Sequence, residues 1–142
     1  MGCDIHAMIE ARHEPKDGWG GDWHCCGSLK IVRNYELFAL LGGARNYGNS
    51  VTPIGKDRFT EDQLVECDED YWDVCSEPFC VLFKKWGEDG HSHSWVTLDE
   101  LRQAACESID VPELSEKADA IVRAHGFDPV GENARLVFFF DN

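Results

Sequence analysis

The stretch His91-Ser92-His93-Ser94-Trp95-Val96-Thr97-Leu98 predicts a strand that carries two histidines two positions apart. Side chains with this spacing project from the same face of a sheet. The N-terminal stretch Asp4-Ile5-His6 has the same spacing in a second predicted strand. If the two strands lie side by side, one carboxylate and three imidazoles will converge on one point.

The N-terminal strand is predicted over residues 3–12, where apolar and polar side chains alternate. The face that is expected to pack on the core carries Cys3, Ile5, Ala7 and Ile9. The opposite face carries Asp4, His6, Met8 and Glu10. This second face is therefore expected to be polar or to face a functional site.

The convergence of imidazole and carboxylate groups predicts a site for a divalent metal ion. Zinc is the favoured cofactor, and iron or manganese would suit an open site. The predicted ligands are Asp4, His6, His91 and His93. Glu10 is predicted either to support a ligand or to act as the catalytic base for a metal-bound water. In the alternative interpretation, the histidines lie on a solvent face and Asp4 caps a turn.

The remaining elements follow from local signals. Residues 13–22 predict a turn-rich link, and residues 23–26 begin a return strand or an irregular loop. Helices are predicted over residues 34–41 with Asn34 as the N-cap, after Thr97 or Asp99 through Ala104 and Ala105, and over residues 113–124. Strands are predicted over residues 79–86 and 135–140. Asp89-Gly90 predicts a hairpin between residues 79–86 and the histidine strand.

Residues 50–80 show the least regular pattern and contain a dense acidic tract. A short helix is expected near residues 61–67, within an acidic loop or insertion of residues 56–80. The order of elements predicts an α+β fold, with a mostly antiparallel sheet, about three helices and a long irregular acidic loop. At 142 residues, the chain is expected to form a single domain over residues 1–142.

Charge and hydropathy restrict the class of function. The chain has 13 basic and 27 acidic residues and a net charge of −14, so binding to a nucleic-acid backbone is not expected. No apolar run approaches the ~20 residues of a membrane span, and the N-terminus lacks the pattern of a signal peptide. We therefore expect a cytoplasmic protein without a membrane partner. An oligomer is possible.

Arginines beside amide and aromatic groups predict a site for a small anionic ligand, because a guanidinium binds carboxylate or phosphate through two hydrogen bonds. Each arginine could equally pair with one of the many acids. Arg58 belongs to this group of arginines. The candidate ligand-binding residues are Arg45, Asn46, Tyr47, Ser94 and Arg135.

The seven cysteines are expected to be mostly buried thiols or metal ligands. An alternative is a structural zinc site that combines residues 24–26 with Cys75 and Cys80, with Cys3 as a further candidate ligand. Buried thiols are the favoured interpretation. The acidic tract of residues 61–77 has the composition of a solvated face, but Tyr71, Trp72 and Trp86 place aromatic rings beside its carboxylates, a combination that can form a docking surface.

Four separated motifs resemble an uncharacterised family of small bacteriophage and bacterial proteins that begin Met-Gly-Cys-Asp-Ile-His. They are residues 1–6, residues 34–46, residues 89–95 and residues 135–142. The resemblance implies a phage or prophage setting, and therefore a bacterial host cytoplasm, but no biochemical activity. Residues 56–80 depart from the family pattern.

Two hypotheses of function follow. The first is a metal-binding phage accessory protein, with metal-dependent hydrolysis of a phosphoester or nucleotide-like substrate as its candidate activity and with Arg45 and Asn46 clamping the substrate. The second is a non-catalytic binder. Such a protein would sequester a small anionic ligand, or inhibit a host protein through its acidic surface.

Overall fold

A four-stranded antiparallel sheet forms the centre of the structure. The computed structural model describes residues 2–13, 21–49 and 51–141. Its strands are β1 (Ile5–Ala11), β2 (His24–Ser28), β3 (Gly90–Thr97) and β4 (Ala134–Asp141). The order across the sheet is β2-β1-β4-β3. The last strand of the chain therefore lies between the first strand and the histidine-bearing strand.

Strand β4 is buried along its whole length. A strand that is covered on both faces has a nearly continuous apolar sequence, and residues 134–141 fit this pattern. Leu136, Phe138 and Phe140 pack into one hydrophobic core. Val137 and Phe139 pack into a second core on the other face. The prediction of a buried strand at residues 135–140 is confirmed.

Helices cover both faces of this sheet. In the described residues they are α1 (Tyr35–Gly42), α2 (Glu61–Asp68), α3 (Glu77–Trp86), α4 (Leu98–Gln103) and α5 (Val111–Ala124). Side chains of α1, α4 and α5 fill the first core. Side chains of α2 and α3 fill the second core. The α+β class with an antiparallel sheet is confirmed, but the described residues form five α-helices rather than about three helices.

Local capping signals located several helices correctly. Asn34 caps α1, because its side chain accepts a hydrogen bond from the backbone N–H of Leu37 at 3.0 Å. Thr97 caps α4 and forms a reciprocal capping box with Glu100. Helix α4 ends at Gln103, so the predicted extension to Ala104 and Ala105 is wrong. The short helix expected near residues 61–67 is α2.

The prediction of a strand at residues 79–86 is wrong, because this segment belongs to helix α3. A short apolar run fits either element. Pro78 lies in the first turn of the helix, a position that favours helix initiation. No hairpin forms at Asp89-Gly90, because a 3-10 turn over Gly87–Asp89 connects α3 to β3.

The structure does not show the long irregular acidic loop that the sequence predicted at residues 56–80. Residues 56–80 contain α2 and the beginning of α3, and Phe59, Cys67 and Phe79 pack in the second core. Most of the predicted turn-rich link at residues 13–22 lies outside the described residues. Among the helices of the described chain, none has the length and apolar character needed to cross a membrane.

Gly55 provides a test of how closely the loop before α2 packs on β3. A Cβ atom at position 55 would collide with the carbonyl oxygen of Trp95 and would lie 2.7 Å from Cγ1 of Val96. Because the colliding oxygen belongs to the backbone of β3 and not to a flexible side chain, Gly55→Ala should lower the free energy of unfolding by about 1–3 kcal/mol, as overpacking typically does. Chemical denaturation measures this change. An unchanged denaturation midpoint would contradict the packing described.

Candidate functional site

The two histidine-bearing strands are not neighbours in the sheet. Strand β4 pairs with β1 on one side and with β3 on the other. Two strand spacings separate β1 from β3, or roughly 10 Å. The two strands therefore do not have the adjacency that the predicted metal site requires.

A β-bulge in β3 separates the two histidines that were expected to share a face. His91 lies opposite Phe140, but Ser94 lies opposite Phe138, so the bulge adds one residue to β3. Ser92 takes a left-handed conformation with φ of 56°. The extra residue reverses the alternation of side chains. His91 therefore stacks on Phe140, whereas His93 packs on the ring of Phe139, which faces the other core.

The other two predicted ligands are engaged elsewhere. The carboxylate of Asp4 accepts hydrogen bonds from Nε and Nη2 of Arg33 at 2.9 and 2.8 Å, and this contact lowers the pKa of Asp4. Nε2 of His6 lies 2.6 Å from Oδ2 of Asp141. The ring of His6 also packs on Trp86, with centroids 4.5 Å apart. Asp4 and His6 thus have partners outside the predicted ligand set.

Among the predicted metal ligands, His93 has a pKa that the fold lowers strongly. Burial lowers its pKa to about 4, and the charge of His91 acts in the same direction. The ring is therefore neutral at pH 7. Across the described residues, no group of three or more His, Cys, Asp or Glu side chains is arranged to hold a metal ion. The zinc site stays a prediction from the sequence.

Glu10, the predicted catalytic base, is fully buried in an ion pair. Its Oε1 accepts a hydrogen bond from Nε of Arg135 at 2.8 Å, and its Oε2 accepts one from the backbone N–H of Ser76. Both oxygens are therefore occupied. Glu10 also lies roughly 13 Å along β1 from His6 at the usual rise per residue. This arrangement fits a structural anchor and does not fit a base beside the histidines.

The cysteines group differently from the possible structural zinc site. Cys75 and Cys80 lie with Cys67 in the second core, where Sγ of Cys67 is 3.5 Å from Sγ of Cys80. Cys25 and Cys26 lie on β2, and burial raises the pKa of Cys26 to about 11. All seven cysteines are free thiols in the structure. Buried thiols, the favoured interpretation, agree with this placement.

A cavity of about 220 Å³ lies where the ends of β1, β3 and β4 meet the segment before α2. We call it the arginine pocket, because three guanidinium groups line it. They belong to Arg12, Arg58 and Arg135. Three aromatic rings, from Trp23, Phe59 and Trp95, also line it. This is an unusual concentration of basic groups in a protein with a net charge of −14.

Arg135 forms the floor of the arginine pocket and is only 5% exposed. Its Nε donates to Glu10, and its Nη2 donates to the carbonyl of Val74 at 2.6 Å. Its Cζ atom lies 3.8 Å from the centroid of a Trp23 ring. Arg135 was predicted as a ligand-binding residue, and the structure places it in a pocket that suits this role.

Arg58 is fixed by groups outside the pocket. Its Nη1 and Nη2 donate to the two carboxylate oxygens of Glu100 at 2.6 and 2.7 Å. Its backbone N–H donates to Oγ of Ser94 at 3.0 Å. Ser94, another predicted ligand-binding residue, is fully buried and does not line the pocket. It therefore positions Arg58 and does not contact a ligand in this pocket.

Arg12 differs from the other two arginines because no ion pair among the described residues includes it. Its Cζ lies 4.3 Å from the centroid of a Trp23 ring, and its buried Nε has no hydrogen-bond partner among the described residues. Burial lowers the pKa of Arg12, and the charge of Arg135 lowers it further, although Glu132 opposes this effect. Among the described residues, the Nε of this half-buried cation therefore has unused hydrogen-bonding capacity.

The remaining predicted ligand residues lie apart from the arginine pocket, after α1. Nη1 of Arg45 lies 3.4 Å from the hydroxyl of Tyr47. The side chain of Asn46 makes two hydrogen bonds to the backbone of Val51, which close a local turn. The predicted clamp of Arg45, Asn46 and Tyr47 therefore shares no cavity with Arg135.

Sequence reasoning missed Arg12 and Trp23 as pocket residues. Arg12 follows β1 on the same side of the strand as Glu10, which the alternation of side chains indicates. Its proximity to Arg135 depends on the pairing of β1 with β4, which brings Glu10 opposite Arg135. No local pattern in the sequence predicts that β1 pairs with β4.

The Glu10–Arg135 pair can be tested by Glu10→Gln, which keeps the shape of the side chain but leaves Arg135 without its counter-charge. We expect the free energy of unfolding to fall by about 3–5 kcal/mol, as when one member of a buried pair is removed. Chemical denaturation measures the loss.

The double variant Glu10→Gln/Arg135→Met is the control for this interpretation. It removes the uncompensated charge as well, so it should be more stable than Glu10→Gln alone. Losses that simply add would show that the two groups do not depend on each other.

Comparisons with models of protein families, with curated proteins and with solved structures give no match to this chain. The candidate function therefore rests on the geometry of the described residues.

Proposed function

We propose that the protein binds a small anionic ligand in the arginine pocket and acts as a binding protein for it. The observation that carries the proposal is Arg12. Its Nε is buried beside Trp23 and makes no hydrogen bond to the described residues. A buried donor without a partner costs about 1–3 kcal/mol, and more when it is charged. A bound anion would compensate the partly buried charge of Arg12 and would also relieve the repulsion from Arg135.

The charges around the pocket indicate a ligand with one negative charge. Arg58 pairs with Glu100, and Arg135 pairs with Glu10, so both of these cations are already compensated. The ion pairs found in the described part of the chain do not include Arg12. Asp73 and Glu132 at the exposed rim repel every anion, and they repel a doubly charged ligand more strongly than a singly charged one. A carboxylate or a singly charged phosphate is therefore favoured over a doubly charged anion.

The size and the walls of the pocket favour a compact, flat ligand. A cavity of about 150 Å³ can hold a benzene-sized molecule, and the arginine pocket has about 220 Å³. Trp23, Phe59 and Trp95 provide aromatic surface for a planar ring, and the guanidinium of Arg12 provides the charged hydrogen bond. An aromatic carboxylate combines both features, whereas a ring with a phosphate monoester carries nearly two charges at pH 7.

The cellular role that we propose is sequestration of this anion in a bacterial host. The resemblance to a phage family supports an accessory role of this kind. Metal-dependent hydrolysis of a phosphoester or nucleotide-like substrate stays a prediction from the sequence. The described contacts place Asp4, His6, His91 and His93 outside the residues that line the arginine pocket.

The proposal is tested with a panel of small anions, including benzoate, phenyl phosphate and inorganic phosphate, against the purified protein. A ring-bearing monoanion should stabilise the fold, by about 2.7 kcal/mol when its free concentration is about 100 times Kd. Calorimetric titration gives Kd directly. Arg12→Gln should weaken binding roughly 10-fold to 100-fold, because it removes a charge-assisted hydrogen bond.

Arg123→Gln is the matched control, because Arg123 is exposed on α5 and does not line the pocket. This variant makes the same change in net charge and should bind like the unmodified protein. Equal weakening in both variants would mean that the anion responds only to net charge, and would contradict the proposal. Failure of every anion to bind the unmodified protein would contradict it as well.

A further inference from the structure

A second cavity, of about 420 Å³, lies between the beginning of β2 and the N-terminus of α3. We call it the Trp72 groove. The indole of Trp72 lines it and is 43% exposed. Asp22, Glu77 and Pro78 also line it. None of the three arginines of the arginine pocket is among the lining residues.

The groove is held in place by contacts with the sheet. The carbonyl of Trp72 accepts a hydrogen bond from the backbone N–H of Trp23 at 2.8 Å. The side chain of Trp23 is buried beneath Arg135. The backbone N–H of Ser76 donates to Glu10, which fixes the start of α3. The exposed indole of Trp72 is therefore presented on a rigid base, which lowers the entropic cost of binding.

The chain segment that contributes Trp72 and Glu77 to the groove is strongly acidic. No lysine or arginine occurs between Phe59 and Phe83. The acids of this segment are Glu61, Asp62, Glu66, Asp68, Glu69, Asp70, Asp73 and Glu77. Asp70 is paired with Lys84 at 2.6 Å, whereas no ion pair of the described residues involves the others. A field of this sign attracts cationic partners and accelerates their association.

We propose that the Trp72 groove binds a basic segment of a partner protein. An arginine or lysine of that segment packs on the indole of Trp72, and its charged group lies between Asp22 and Glu77. Tryptophan is the most favourable ring for such a cation–π contact. Tryptophan and tyrosine are also the side chains most enriched at the energetic centre of interfaces. Tyr71, the exposed neighbour of Trp72, extends this aromatic surface.

The charge of the protein favours a basic partner segment over two other occupants, a second copy of the chain and a nucleic-acid backbone. A second copy of the chain would bring another net charge of −14 to the same surface and would be repelled. A nucleic-acid backbone would be repelled for the same reason. The groove and the arginine pocket have opposite charge, so this inference is independent of the proposed anion binding.

The test uses short acetylated and amidated peptides of alternating arginine and glycine, titrated into ¹⁵N-labelled protein. We expect the indole N–H resonance of Trp72 to shift on binding, and a peptide of alternating glutamate and glycine to have no effect. Trp72→Ala should weaken binding of the arginine peptide roughly tenfold. Tyr47→Ala, which removes an aromatic side chain that is 76% exposed elsewhere, should leave binding unchanged.

A charge-matched pair of variants separates the groove from the general acidity of the protein. Asp22→Asn/Glu77→Gln should weaken binding of the arginine peptide more than Glu116→Gln/Asp128→Asn, which neutralises two exposed acids outside the groove. Equal effects of the two double variants would overturn the proposal. Unchanged binding by Trp72→Ala would overturn it too. Spermidine binding at Trp72 as tightly as the peptide would reassign the groove to a free amine.

Discussion

The buried ion pair between Glu10 and Arg135 is the contact on which the arrangement of both cavities depends. The two residues lie opposite each other on β1 and β4, at distant positions in the chain. Such pairs are stable only when their remaining hydrogen-bonding groups are satisfied. Here the backbone N–H of Ser76 and the carbonyl of Val74 complete the set. The pair therefore fixes the segment between α2 and α3 against the sheet, together with the side chains that this segment contributes to the two cavities.

Trp23 connects the two cavities that this ion pair organises. Its ring supports Arg12 and Arg135 in the arginine pocket, and its backbone holds Trp72 beside the acidic groove. A cationic pocket and an acidic groove thus lie on two sides of one buried indole. The overall charge of the protein opposes the approach of an anion from a distance. Binding of an anion must therefore depend on short-range contacts in a desolvated site, which is the environment of Arg12.

The sequence determined much of the secondary structure, because the relevant signals are local. Asn34 and Thr97 mark the starts of α1 and α4 by hydrogen bonds within one turn of each helix. The apolar run at residues 135–140 is long enough and rich enough in large side chains to indicate a strand buried on both faces. The prediction of a strand at residues 79–86 is wrong, because a short apolar run can bury its side chains either in a strand or on one face of a helix.

Only the tertiary structure decided which residues come together in the candidate site. The spacing of His91 and His93 predicted a shared face, but the bulge at Ser92 directs them to opposite faces. Strand order is a long-range property, and the insertion of β4 between β1 and β3 separates His6 from both. The same pairing brings Arg12 and Arg135 to one pocket. The sequence by itself thus determined the α+β class and most element positions through local propensity and periodicity. Only the tertiary structure decided which side chains meet. Strand pairing joins residues that are distant in the chain, and the sequence around one residue does not indicate its partner.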